Sequence, residues 1–173
     1  MVVMGTSTAV SVEEYLSTVY RPDCDYVEGT IQERNVGEKD HSRLQILLGA
    51  YLLGLEQTLG IHVYADQRLQ VKPDRFRVPD VCVVAGPEPD EQVFTRPPFL
   101  CVEILSPEDR MIRVEERISD YLAFGVRYVW VVDPRAGTGW IYSSAGPCFA
   151  HDGLLSTEDP EIAVPLQELL KRR

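Results

Sequence analysis

Two stretches of the chain carry apolar residues at helical spacing. Leu44, Leu47, Leu48, Tyr51, Leu52, Leu55 and Leu59 recur three and four residues apart, which predicts one buried stripe on a helix opened by Asp40 and ended by Gly60. Val114, Ile118, Tyr121 and Leu122 define a second stripe, with Gly125 placed to end it. Ser11 ahead of Glu13 and Glu14 predicts a short capped helix that Arg21–Pro22–Asp23 closes. A last short helix leads into Lys171–Arg172–Arg173.

Between these helices the pattern is that of strands. Tyr26–Val27 and Thr30–Ile31 flank a Glu28–Gly29 turn and predict an N-terminal hairpin. His62–Ala65, Leu69–Val71, Val78–Val84, Leu100–Leu105 and Gly139–Tyr142 are short apolar or β-branched runs. Tyr128–Val132 is nearly all apolar, as expected of a strand covered on both faces. Residues 85–98 hold four prolines and read as a loop. The order predicts an α/β (α+β) domain over residues 1–173, with a mixed central sheet between helices and a frayed segment over residues 1–10.

Composition narrows the function classes. Hydrophobic residues make up 45% and charged residues 25%, an ordinary globular balance. The longest apolar run, Ile46 to Leu55, is too short to span a bilayer, and no Lys or Arg precedes Arg21, so a cytoplasmic location is expected. Cys24, Cys82, Cys101 and Cys148 lack C-x-x-C spacing and His41, His62 and His151 lie far apart, which argues against zinc and for buried free thiols. The net charge of −10 disfavours nonspecific nucleic-acid binding, so such a role needs a local basic patch.

Two apolar strand runs each contain one acid, Asp80 and Glu103. A buried charge costs several kcal/mol unless it is paired or metal-bound. On adjacent antiparallel strands the two acids would face one point and invite Mg²⁺, which takes carboxylate, water and phosphate oxygens. The alternative is that each sits at a strand end, solvated or paired with an arginine. A register with Asp80 opposite Glu103 also sets Cys82 opposite Cys101 on the same face.

Pro79–Asp80 followed by Glu103–Ile104–Leu105 resembles the PD-(D/E)xK nuclease superfamily. Val12–Glu13–Glu14–Tyr15–Leu16, Asp25 to Gly29, His41, Val102–Pro107, Tyr121 and Gly125–Pro134 resemble, more specifically, the Uma-type restriction-endonuclease family. The resemblance implies a restriction-endonuclease-like fold and Mg²⁺-dependent (or Mn²⁺-dependent) hydrolysis of DNA phosphodiesters by a homo-oligomer, a dimer. It implies that Asp80, Glu103 and the carbonyl of Ile104 hold the metal and that Asp80, Glu103 and Arg117 are catalytic. The superfamily lysine, two residues after the glutamate, is Leu105 here; the position on the following helix to which it moves in this branch is Arg117. Arginine can stabilise negative charge but cannot give up its proton at neutral pH. Arg113 stands where the family usually has an acid.

Arg110, Arg113 and Arg117 fall within about 60° of one another on a helix, and they supply the basic patch the acidic chain requires. A solvated face paired with Glu115, Glu116 and Asp120 is the alternative. Arg68, Lys72, Arg75 and Arg77 are either a phosphate path or a polar hairpin tip. His41 is either a cap bonded into the core or a phosphate-facing group near the metal, and Asp25 and Glu28 are candidates for a further acid. Trp130 and Trp140 read as core. Beside the nuclease reading stands a non-enzymatic one: the same fold with a weakened site, binding nucleic acid or a protein.

Overall fold

A computed structural model describes residues 9–34 and 38–171. The fraying expected over residues 1–10 lies outside them except at Ala9 and Val10. Val10 is tied down: its amide donates to Gly29 O at 3.0 Å and its carbonyl accepts from the Tyr26 hydroxyl at 2.9 Å.

Ser11 accepts from the Glu14 amide at 3.0 Å and caps α1 (Val12–Ser17). β1 (Cys24–Val27) and β2 (Thr30–Glu33) form the hairpin, turning on Glu28 and Gly29, both at positive φ. The long helix is two: α2 (Lys39–Leu53) ends at Gly54, and α3 (Glu56–Leu59) ends at Gly60 in the left-handed region. Glycine holds a helix poorly, so Gly54 breaks a stripe whose apolar spacing continues through it.

β3 (Ile61–Ala65), β4 (Leu69–Lys72), β5 (Arg75–Arg77), β6 (Val81–Ala85) and β7 (Leu100–Ile104) follow. Then come α4 (Met111–Phe124), β8 (Tyr128–Asp133), β9 (Thr138–Ser143), β10 (Gly146–Phe149), β11 (Leu154–Ser156), β12 (Ala163–Pro165) and α5 (Leu166–Lys171). A six-stranded sheet has the order β10-β9-β8-β7-β6-β3, and a four-stranded sheet the order β2-β1-β5-β4. In the larger sheet only β7 and β8 are parallel, with α4 as their crossover. This is the mixed sheet flanked by helices that the sequence predicts. No helix among the described residues is long and apolar enough to cross a membrane.

The two faces of the larger sheet bury different layers. Leu44, Leu48 and Leu52 of α2 pack on Val81, Val83, Val102 and Trp130. Val114, Ile118 and Tyr121 of α4 pack on Cys82, Cys101, Val129 and Val131. Cys82 pairs directly with Cys101 in the β6–β7 ladder, both as free buried thiols. Asp80 lies one residue beyond the last pair of that ladder, Val81 with Val102, level with Glu103. Residues 86–99 connect the two strands at the other end of the hairpin, with Phe94 bound to the Arg68 carbonyl and the Gln70 amide.

Candidate active site

Asp80 stands one residue before β6, not inside it as expected. Pro79 has no amide hydrogen to give a ladder, so pairing starts after it. Asp80 is 2% exposed, and each of its oxygens is held. Oδ2 accepts from the Ile104 amide at 2.6 Å. Oδ1 accepts from the guanidinium of Arg34 and lies 3.3 Å from His41 Nε2, in the first turn of α2. The Asp80 carbonyl accepts from Gln45 at 2.9 Å.

Glu103 is equally buried, at 2% exposure. The Tyr121 hydroxyl donates to its Oε1 at 2.6 Å, and Arg117 Nε lies 3.4 Å from Oε2. Arg117 also reaches Asp109, 3.5 Å away. Asp80, Glu103, Ile104, His41, Arg34 and Arg117 thus border one small pocket.

The two carboxylates differ electrostatically. Burial pushes Glu103 up to about 7; Arg117 opposes the rise and the Asp80 charge adds to it. Burial acts on Asp80 too, but Arg34, His41 and the Ile104 amide outweigh it and hold its carboxyl below the usual range. Burial disfavours charge on His41, yet its hydrogen bond to Asp80 raises it overall.

The pocket adjoins a cleft of about 290 Å³ bordered by Arg34, Arg110, Arg113 and Arg117 together with Glu33, Glu108 and Asp109. Arg110 and Arg113 make no ion pair among the described residues, so the pairing with Glu115 and Glu116 weighed above is not made. Asp120 turns inward instead, to Arg75 at 2.9 Å and Arg77 at 2.7 Å.

That inward turn belongs to a second charge network. Arg77, 1% exposed, also binds Asp25 Oδ2 at 3.0 Å, and Asp25 Oδ1 accepts from the Val78 amide at 3.0 Å. Arg75 continues the network to Glu28 at the exposed turn. Both oxygens of Asp25 are therefore committed to joining β1 to β5. Lys72 and Arg75 close the tip of the β4–β5 hairpin around Pro73–Asp74, while Arg77, on the far side of buried Phe76, is committed to Asp25 and Asp120. Trp130 is fully buried, and Trp140 is half-buried against Phe149.

Arg34 is the site residue that sequence reasoning missed. It follows β2, lies 46 residues from Asp80, and has no motif around it. The only available hint was that two buried acids require positive charge.

Over residues 12–165 the sequence matches a family described as "Uma2: Putative restriction endonuclease". No curated protein gives a significant match. Among solved structures, the chain is similar to "a putative nuclease belonging to DUF820 from Anabaena variabilis ATCC 29413". The TM-score is 0.79 and the identity 21%, covering 93% of this chain and 99% of that one. At this identity the likeness is one of fold. The family match runs from α1 to β12 and takes in both acids and the arginine helix, and the chain belongs to the Uma2 family.

Proposed function

We propose that the protein is an endonuclease that hydrolyses DNA phosphodiester bonds with Mg²⁺, or Mn²⁺ in its place. The observation that carries this reading is the pair of nearly inaccessible carboxylates, Asp80 just ahead of β6 and Glu103 in β7, beside an arginine-bordered cleft. Each is held by an arginine, Arg34 or Arg117, and by a hydrogen bond, which offsets the cost of burying it until a metal binds.

Among the described residues no group of three or more His, Cys, Asp or Glu side chains is placed to hold a metal ion by itself. The donor set is two carboxylates and the Ile104 carbonyl, all hard oxygens, which fits an ion that completes its shell with water and phosphate. Bound there, the metal would lower the pKa of a water and offset phosphate charge. The chain's own residues do the rest. The Ile104 amide and His41 orient Asp80, and Tyr121 orients Glu103. Arg117 offers a fixed positive charge toward the phosphate, and Arg110 and Arg113 border the path of the backbone. Cutting both strands of a duplex calls for two sites, so a dimer accompanies this reading; sedimentation of the full chain tests it.

The test is plasmid nicking with Mg²⁺ or Mn²⁺, beside calorimetric titration of the metal. Wild type should cut and bind metal, and Asp80→Asn should do neither while keeping its circular dichroism. A second reading is favoured by Arg34 on Asp80 and by Leu105 in place of the lysine: a weakened member of the fold that binds nucleic acid or a protein. DNA bound but never cut, with no heat of metal binding, would establish that reading over the first.

A further inference from the structure

The side chain of Arg34, 12% exposed, spans two acids: Nη2 donates to Asp80 Oδ1, and Nη1 donates to Asp66 Oδ1 at 3.0 Å. Oδ2 of Asp80 is fixed by the sheet through the Ile104 amide. A metal that binds through Oδ1 meets Arg34 there, with His41 Nε2 3.3 Å from the same oxygen. A guanidinium does not lose its charge at any accessible pH. Asp80 and Glu103 already face two such cations, Arg34 and Arg117. A divalent ion on Oδ1 would meet Arg34 at contact distance in a site of low dielectric, where like charges repel strongly.

We infer that Arg34 is a displaceable counter-cation: it neutralises Asp80 in the metal-free protein, competes with the metal for Oδ1, and on metal binding moves into the adjoining cleft, where it can bind a phosphodiester oxygen. The inference rests on the nuclease reading above. Two observations support the movement. Arg34 borders both the pocket of the acids and the cleft of Arg110, Arg113 and Arg117, so the move needs no rearrangement of the fold. Its other anchor, Asp66, has a side chain 47% exposed and a second partner in Gln45, so water and Gln45 can serve it when Arg34 leaves.

Isothermal titration of Mn²⁺ into the full chain tests the competition, comparing wild type with Arg34→Gln and using Asp80→Asn as the blank. A group that covers a ligand atom nine-tenths of the time lowers apparent affinity about tenfold. Arg34→Gln should therefore bind Mn²⁺ roughly tenfold tighter. In EDTA its thermal midpoint should lie below wild type, and Mn²⁺ should raise that midpoint by more. At saturating Mn²⁺ the same variant should bind a labelled phosphorothioate oligonucleotide several-fold more weakly. Equal or weaker Mn²⁺ binding by Arg34→Gln, with wild type binding normally, would overturn the competition and leave the nuclease reading standing. Unchanged oligonucleotide affinity would overturn the relocation. Absence of Mn²⁺ binding in wild type and Arg34→Gln alike would overturn both the inference and the metal-dependent reading.

Discussion

The hydroxyl of Tyr121 donates to Glu103 Oε1 at 2.6 Å, from the last turn of α4 to the third residue past the start of β7. Tyr121 is fully buried, so the bond is shielded from water on the helix side. Tyr121→Phe would keep the ring's packing and leave that oxygen without its donor. Leaving a buried acceptor unsatisfied costs about 1–3 kcal/mol. Urea unfolding should show stability lowered by that amount, as a lower midpoint with an unchanged slope; an unchanged midpoint would mean that water replaces the bond.

Arg117 lies beside Glu103 with its side chain 12% exposed. If it stabilises charge on the phosphate, Arg117→Lys should retain most Mn²⁺-dependent plasmid cleavage, because the charge remains. Arg117→Ala should reduce it by about 100-fold or more, the range for loss of one preorganised donor. An alanine variant that cuts at the wild-type rate would exclude Arg117 from the reaction.

Arg77 joins Asp25 and Asp120 where almost no solvent reaches. Removing one partner of a buried ion pair costs about 3–5 kcal/mol, because the remaining charge is stranded. Arg77→Met leaves Asp25 without its ion pair and Asp120 with Arg75 alone, and should be among the most destabilising changes in the chain by urea unfolding. Arg75→Met removes a partly exposed arginine and should cost much less. Equal losses in the two variants would contradict this picture.

Burial raises the thiols of Cys82 and Cys101 far above their ordinary value and raises Cys24 as well. Thiolate is the reactive form. A disulfide reagent at neutral pH should therefore label exposed Cys148 alone in the native protein and all four cysteines in denaturant. Rapid native labelling of Cys101 would show that the β6–β7 hairpin opens.

The parts of the fold that were legible in the sequence are those with a strong period. The α4 stripe, the doubly buried β8 and the β6–β7 register all follow from spacing, because a one-residue slip would turn Cys82 and Cys101 to opposite faces. Asp80 and Glu103 stood out because acids are rare among apolar neighbours. What was illegible depends on partners distant in sequence. Arg75–Phe76–Arg77 is too short and too charged to read as a strand until Asp25 and Asp120 are seen to neutralise it. Arg34 carries no pattern of its own, and only the fold brings it to Asp80. Asp25 and Glu28 drew notice as acids near a family-like motif, and their partners in the fold are Arg77 and Arg75.

The connection between β6 and β7 leaves the sheet at the end away from Asp80 and Glu103, about 15 Å distant at strand spacing. The β6–β7 ladder and the contacts of Asp80 with Ile104, Arg34 and His41 align the two acids, and none of these lies in that connection. Phe94 anchors its second half, while residues 85–88 are exposed. This makes the segment around Gly86–Asp90 a place where the chain can lengthen, accept a reporter peptide or be opened to new termini without disturbing the acids. A single residue inserted within β6 or β7, by contrast, would shift the register that sets Cys82 against Cys101 and displace one acid from the other.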